Sequence, residues 1–221
     1  MRKIGSGGNN RIVEGNPFAS MTEQAQYWLG FLAADGNVST KKNAVSLAIK
    51  DIEHVLKYKH FISSALSEYY RINAAGSTIC QITFGNKETK DFLISIGITP
   101  NKSKTFKFSI PITGHILRGV FDGDGSVSQN RPKITTGSLY FKKQLEDFYN
   151  TIGIKFTTTV KHKIKDRNVF DIWILKESKQ DFYNLLYNNA TVFLERKKLQ
   201  YEGSEYKRKS RKKQKVNSGE V

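Results

Sequence analysis

The chain has 221 residues, of which 38% are hydrophobic and 25% charged, a composition typical of a globular protein with one large core or two small ones. Its 36 lysines and arginines against 20 aspartates and glutamates give a net charge of +16, which indicates a polyanionic partner. The single cysteine, Cys80, excludes an internal disulfide, and no zinc-hydrolase pattern or phosphate-loop motif is present. Since no apolar run reaches the about 18 to 20 residues of a membrane span and the first residues lack a signal peptide's apolar centre, we expect a soluble, intracellular protein.

The elements follow one order in each half of the chain. Residues 1–20 are rich in glycine and asparagine, which predicts a flexible lead. Hydrophobic periodicity then predicts a helix over 23–34, a strand over 44–50, a helix over 51–67, strands over 69–73 and 78–84, and a helix over 87–96. The second half predicts a helix over 112–123, a strand over 133–136, a helix over 139–152, strands over 156–164 and 169–175, and a helix from 178. The tail 203–221, with seven basic and two acidic residues, is either solvated and disordered or a non-specific phosphate-binding arm.

Two nine-residue segments repeat within this order: "WLGFLAADG" at 28–36 and "LRGVFDGDG" at 117–125. Nearly the same spacing separates Asp35 from Asp124 and the "DF" pair at 91–92 from that at 181–182. A lysine cluster ends each half. We therefore predict an α+β fold of two pseudo-symmetric αββαββα repeats in tandem, residues 21–110 and 111–202.

Each repeated helix carries two small residues four positions apart, and such positions lie on one helix face. Small residues there let two helix backbones approach closely, and each half has only one such helix. We therefore predict that the two helices pack on each other through Gly30, Ala34, Gly119 and Gly123.

That packing brings Asp35 and Asp124 together at two helix C-termini. A carboxylate at a helix C-terminus costs about 0.3 to 1 kcal/mol, and a second one nearby adds repulsion. A divalent cation reverses the sign of this interaction. The two carboxylates and the last helical carbonyls, at Ala34 and Gly123, are hard oxygen ligands suited to Mg²⁺, which indicates metal-assisted phosphodiester hydrolysis. A single Asp-Gly could equally be a C-cap and turn, but two matched copies favour a metal site.

The two segments resemble the signature of the LAGLIDADG homing endonucleases in their single-chain, two-motif form. The resemblance covers about residues 22–200. It implies two four-stranded sheets that form a saddle over double-stranded DNA. It also implies that the eighth signature residues, Asp35 and Asp124, bind catalytic Mg²⁺, for which Ca²⁺ or Mn²⁺ substitutes in crystals, and that each site cuts one strand across the minor groove.

The same resemblance implies a basic catalytic residue in each half. It falls on Lys102 in the first half and on Lys197 in the second, with their neighbours Lys104 and Lys198 as alternatives. The copies also differ at the sixth signature position, alanine in the first and Asp122 in the second, so we expect two inequivalent sites.

The strand pattern predicts a DNA-facing surface independently. In "FTTTVKHKIK", threonines and lysines occupy one face and apolar residues the other, which suits a sheet lying in a groove. The same alternation predicts DNA contacts at Ser46, Lys50, Arg71, Gln81, Thr83, Lys133, Thr159, Lys161, Lys163 and Lys165.

The sequence thus predicts a monomeric, Mg²⁺-dependent, site-specific double-strand DNA endonuclease, encoded by a mobile intron or intein-like element in bacterial or phage-infected cytoplasm or an organelle. Two alternatives remain: an intron RNA maturase of the same fold, and a DNA-binding regulator that does not cut. Both aspartates and both lysine clusters are present, which favours the nuclease over the regulator.

Overall fold

The order αββαββα occurs twice in a computed structural model, which describes residues 12–164 and 167–203. The first repeat consists of α1 (Glu23–Asp35), β1 (Gly36–Val38), β2 (Ala44–Ile49), α2 (Ile52–Ile62), β3 (Tyr69–Ile72), β4 (Thr78–Gly85) and α3 (Lys87–Ser95). The second consists of α4 (Gly114–Asp124), β5 (Gly125–Ser128), β6 (Arg131–Thr136), α5 (Leu139–Thr151), β7 (Phe156–Ile164), β8 (Arg167–Ile174) and α6 (Lys179–Tyr187). A 3-10 turn at Lys102–Lys104 precedes α4, and a helical stretch over 195–203 follows α6. The predicted α+β class and repeat order are confirmed.

Each repeat folds into a four-stranded antiparallel sheet, in the order β1-β2-β4-β3 in the first and β5-β6-β8-β7 in the second. Val45 and Leu47 of β2 pair with Phe84 and Ile82 of β4, and all four side chains are buried against the helices. The alternate residues point to the opposite, open face of the sheet. Identical strand order in both repeats gives the chain an internal pseudo-twofold arrangement.

The first helices of the two repeats, α1 and α4, begin and end alike. Thr22 and Thr113 cap their N-termini, each accepting a hydrogen bond at its hydroxyl from a backbone N–H three residues on. At the C-termini the backbone N–H groups of Gly36 and Gly125 donate to carbonyls of the last turn. Matched caps make Asp35 and Asp124 the last residue of each helix.

The two helices pack directly on one another, and the small residues lie at their contact. A Cβ atom on Gly30 would lie 2.0 Å from the Ile116 carbonyl oxygen, and one on Gly119 would lie 2.0 Å from the Tyr27 carbonyl oxygen. A Cβ on Gly123 would lie 2.4 Å from the Cβ of Ala34. Only residues without a larger side chain allow the backbones to come this close.

The structure departs from the predicted elements in three places. Helix α2 ends at Ile62 instead of residue 67, because Ser63 adopts an extended backbone and its hydroxyl accepts a hydrogen bond from the Ala65 N–H. The short edge strands β1 and β5 were not predicted. Strand β7 has a register shift between Val160 and His162, which interrupts its alternation.

Part of the predicted flexible lead contacts the first repeat. Phe18 is fully buried and packs against Phe61 and Phe92, and the Asn86 side chain donates hydrogen bonds to the carbonyls of Val13 and Gly15. Residues 12–20 therefore belong to the packed body, whereas residues 1–11 and the basic tail from 204 lie outside the described residues. Within the described ranges, no helix is both long enough and apolar enough to cross a membrane.

Candidate metal and nucleic-acid site

The motif carboxylates meet at the C-terminal end of the α1–α4 contact. A Cβ on Gly123 would lie 3.3 Å from Oδ2 of Asp35, so the Asp35 carboxylate lies beside the residue that precedes Asp124. Both aspartates are exposed, and each is followed at once by an edge strand of its sheet. The pair therefore lies on the junction between the two sheets.

The surroundings make two negative charges unfavourable at this point. Partial desolvation and, next, the charge of Asp35 raise the pKa of Asp124 to about 6, although Lys102 and Lys197 act in the opposite direction. Desolvation also raises the pKa of Asp35, although Lys102 and Lys197 act in the opposite direction. A cation between the carboxylates would relieve this repulsion.

A lysine lies beside each carboxylate, in equivalent positions. Lys102 donates a hydrogen bond from Nζ to the Gly36 carbonyl at 2.6 Å. Lys197 donates from Nζ to the Gly125 carbonyl and, at 3.3 Å, to the Phe121 carbonyl. Each lysine therefore binds the carbonyl of the glycine that follows a motif aspartate.

The neighbouring lysines of each cluster lie elsewhere. Lys104 is exposed, and Lys198 forms an ion pair of 3.5 Å with Glu202. Desolvation lowers the pKa of Lys102, and it lowers the pKa of Lys197 to about 8. Burial thus brings the pKa of Lys197, in particular, closer to neutral pH.

A pocket lies beside Asp124, next to β6 of the second sheet. It is lined by Asp124 of α4, Lys102 and Ser103 of the 3-10 turn, and Thr135 of β6. Lys102 comes from the first repeat and Asp124 from the second. The pocket is therefore completed by both halves of the chain.

The donor set fits a hard divalent cation that keeps part of its water. Within residues 12–164 and 167–203, no three His, Cys, Asp or Glu side chains are grouped as a metal site. The protein supplies two carboxylates and the last-turn carbonyls of α1 and α4, to which Ala34 and Gly123 belong, and such carbonyls have no intrahelical donor. Mg²⁺ characteristically binds one or two carboxylates and completes its shell with water and phosphate oxygens.

The open face of the first sheet is polar at its centre. Ser46 pairs with Thr83 across β2 and β4, and Gln81 donates a hydrogen bond to the Thr83 hydroxyl at 2.8 Å. Arg71 lies on β3 in the neighbouring row, and Lys50 is exposed just beyond β2. The five residues predicted in this half therefore share one surface or its margin.

The open face of the second sheet contains an ion pair that the sequence did not reveal. Lys133 donates to Asp171 at 2.6 Å, and its ammonium lies 4.5 Å from the centre of the Trp173 ring. Thr135 also donates to Asp171, at 2.5 Å, while Trp173 donates from its indole to Thr159. The Lys133 ammonium is thus engaged by groups of the protein itself. Trp173 and Asp171 were not predicted to contact DNA, but they pair with Lys133 and Thr159, which were.

The predicted lysine row on β7 is interrupted. Thr159 and Lys161 are exposed, but the register shift after Val160 breaks the alternation that placed Lys163 on the same face as Thr159. Lys163 lies in β7 by its backbone. Lys165 lies outside the described residues. Both remain predictions.

The buried polar contacts of α4 were missed by sequence reasoning. Arg118 is 1% exposed, forms a 2.6 Å ion pair with Glu23 of α1, and donates to the carbonyls of Leu186 and Val192 at 2.9 Å. Asp122 is fully buried and accepts hydrogen bonds from two tyrosines and one backbone N–H. Their only sequence signal was a pair of charged residues within an otherwise apolar helix.

Comparisons with known proteins find the same fold. Residues 114–188 match the LAGLIDADG-like domain, whereas no curated protein matches the sequence. The chain is similar to I-DmoI in complex with DNA and Ca, at 12% identity and a TM-score of 0.54, with 78% of this chain and 91% of that chain covered. The complex of I-DmoI with DNA and Mn gives 14% identity and a TM-score of 0.56, covering 79% and 100%. Mesophilic variants from the homing endonuclease I-DmoI give 12% and 0.51, covering 73% and 93%.

At such identities the structural likeness establishes the fold, which both repeats share. The domain match runs from the start of α4 to just beyond α6 and includes the second motif, and the first motif occupies the equivalent place in the first repeat. Residues 114–188 are therefore a LAGLIDADG-like domain, and the chain as a whole shares the fold of I-DmoI.

Proposed function

We propose that this protein is a site-specific DNA endonuclease of the homing type, which binds double-stranded DNA as a monomer and hydrolyses one phosphodiester in each strand. The observation that carries the proposal is the pair Asp35 and Asp124, joined at the junction of two polar sheet faces with a lysine beside each. Structures of I-DmoI with DNA and with Ca or Mn support DNA and a divalent ion as partners of this fold.

The two open sheet faces bind the duplex. Lys50, Arg71 and Lys161 contact phosphates, and the net charge of +16 gives the attraction long range. The polar residues at the sheet centres, among them Ser46, Gln81 and Thr83, reach base edges and provide sequence discrimination. The junction between the sheets then lies over the minor groove, so that the carboxylates face both strands.

The carboxylates of Asp35 and Asp124 would hold the metal together with the carbonyls of Ala34 and Gly123. Mg²⁺, when bound, polarises the scissile phosphate and lowers the pKa of a water molecule next to it. Asp35 and Asp124 would orient this centre against the strand, and a bound cation would favour their ionised forms. The C-terminal ends of α1 and α4 would thereby supply the negative charge that a divalent ion requires.

Lys102 and Lys197 act on the phosphate beside each carboxylate. Their ammonium groups lie on the glycine carbonyls next to the aspartates. From there they would stabilise negative charge that develops on the phosphate oxygens. The lowered pKa of Lys197, about 8, also makes proton transfer to or from this group easier than for an ordinary lysine.

A cleavage assay tests the proposal. The protein is incubated with Mg²⁺ and a library of randomised duplex targets, and cut ends are sequenced. We expect double-strand breaks at one family of related sequences. Enrichment of bound DNA without any cut ends would instead identify a regulator, and selective binding of structured RNA over duplex DNA would identify a maturase.

A further inference from the structure

Asp122 holds a segment of chain that leads to the second lysine. Its carboxylate accepts hydrogen bonds from the Tyr187 hydroxyl at 2.6 Å, the Tyr27 hydroxyl at 2.8 Å and the Leu194 backbone N–H at 2.7 Å. A fully buried carboxylate is tolerated only when its oxygens are satisfied in this way. Two of the three donors come from the second repeat, and Tyr27 comes from the first.

Leu194 is the residue directly before the helical stretch 195–203. Its carbonyl accepts hydrogen bonds from the N–H groups of Lys197 at 2.9 Å and Lys198 at 3.2 Å, which form the first turn. The hydrogen bond from the Leu194 N–H to Asp122 therefore fixes the position of this first turn relative to α4. Lys197 then extends back to the Phe121 and Gly125 carbonyls at the end of the same helix α4.

Residues 194–197 are thus attached to α4 at both ends. One attachment is the hydrogen bond from Leu194 to Asp122, and the other is the Lys197 ammonium on the carbonyls around Asp124. Such a double attachment leaves the lysine 4% exposed and sets its distance from the motif aspartate. Loss of either attachment would allow the first turn to shift.

The first repeat holds its lysine in another way. The sixth motif residue there is Ala33, which has no hydrogen-bonding side chain, and Lys102 follows Asn101, whose backbone is left-handed with φ 56°. Lys102 is half-buried, not fully buried. The difference between Ala33 and Asp122 is therefore also a difference in how each lysine is supported.

We propose that Asp122 is a positioning residue for Lys197, and that cleavage of one DNA strand depends on it while cleavage of the other does not. The proposal rests on the nuclease function proposed above. Asp122 does not touch the substrate, and it acts by fixing the Leu194 N–H and, through it, the first turn that carries Lys197.

The test measures single-turnover cleavage of each strand separately, with a different label on each strand of the target. Lys197→Met defines the strand that depends on Lys197. Asp122→Ala should slow that strand on the order of 100-fold, since misplacement by about 1 Å has effects of this size, and should leave the other strand near the wild-type rate. DNA affinity in Ca²⁺ should not change.

Two further variants separate positioning from general disruption. Asp122→Asn retains an oxygen that can accept from Leu194, so it should restore most of the lost rate. Tyr187→Phe removes a hydrogen bond from the same carboxylate but leaves the Leu194 contact, and should cut both strands like the wild type. The double variant Asp122→Ala with Lys197→Met should be no slower than Lys197→Met alone, because both changes act on one lysine.

Backbone amide NMR spectra of the free protein test the same link without catalysis. In Asp122→Ala, signals of residues 194–198 should shift more than those of residues 101–105. Equal slowing of both strands, an additive double variant, or equal shifts in both segments would overturn the proposal. A wild-type protein that cuts neither strand would instead refute the nuclease function, and the NMR comparison would still decide the structural link.

Discussion

Gly119 of α4 lies against the backbone of Tyr27 of α1, so closely that a methyl group in place of its hydrogen would lie 2.0 Å from the Tyr27 carbonyl oxygen. Since that neighbour is backbone within a helix, it cannot rotate away. We expect Gly119→Ala to destabilise the protein by about 1 to 3 kcal/mol, as overpacking does in well-packed interiors. Urea unfolding followed by circular dichroism measures the change.

A matched glycine provides the control for this prediction. A Cβ on Gly203 would have nothing within 4 Å, so Gly203→Ala should change stability by less than about 0.5 kcal/mol. Equal stability of Gly119→Ala and the wild type would show that α1 and α4 are not in contact at this glycine in solution.

Each of the two motif aspartates should be required for double-strand cleavage. Asp35→Asn or Asp124→Asn removes one of two negative charges available to the metal, and we expect double-strand cleavage to fall by at least about 100-fold, since metal stabilisation contributes several kcal/mol. DNA binding in Ca²⁺, measured by gel shift, should persist. Normal cleavage by either variant would refute the assignment of that aspartate as a metal ligand.

Without a bound metal, the repulsion between the two carboxylates should lower the stability of the protein at high pH. The pKa of Asp124 in the folded protein, about 6, lies above the ordinary value of 3.8, so stability from the protonated carboxyl is complete below pH 3.8 and is lost as the pH rises through 6. Asp124→Asn should therefore be more stable than the wild type at pH 8, by about 0.3 to 1 kcal/mol from the helix terminus alone. The difference should vanish near pH 3.

Added Mg²⁺ provides the control for this measurement. A ligand that binds only the folded state stabilises it in proportion to the logarithm of its concentration over Kd. Thermal melts at pH 8 should show Mg²⁺ stabilising the wild type but not Asp124→Asn. A variant that melts below the wild type at pH 8 without metal would show that the two carboxylates do not repel each other.

The lysines on the open faces should differ in their contribution to DNA binding. Lys50→Met and Lys161→Met should each reduce the slope of log K against log salt by about 1, because each removes one phosphate contact. Lys133→Met should reduce it less, since Asp171 already neutralises that ammonium at 2.6 Å. Fluorescence anisotropy between 50 mM and 200 mM salt, about the range in which such slopes are measured, tests this order. Equal slopes for all three variants would show that Lys133 is released from Asp171 on binding.

The order of elements and the position of the carboxylates could be predicted from the sequence because their signals are local and repeated. The first motif helix and its copy carry small residues at matching positions, and each ends in Asp-Gly, at Gly36 and Gly125. Two copies of the motif removed the ambiguity that one copy leaves. Periodicity then separated helices from strands.

Tertiary partners could not be predicted in this way. Nothing near Lys133 in sequence indicates Asp171, and nothing near Asp122 indicates that its carboxylate holds the N–H of Leu194. The register shift in β7 was likewise invisible, because strict alternation was the only available assumption. Residues 12–20 were expected to be flexible because residues 1–20 are rich in glycine and asparagine, and the sequence does not reveal that Phe18 is buried or that Asn86 binds the Val13 and Gly15 carbonyls.

The segment that follows α6 in the second repeat contacts α2 of the first repeat. Arg196 binds both oxygens of Asp51 at the start of α2, and Lys57 of α2 binds Glu195 at 2.9 Å. These ion pairs place the segment that carries Lys197 on a surface belonging to the other half. The two repeats therefore cannot be exchanged independently of each other. A chimaera that replaces one repeat with that of a distant relative would need to take α2 and residues 195–197 from the same source.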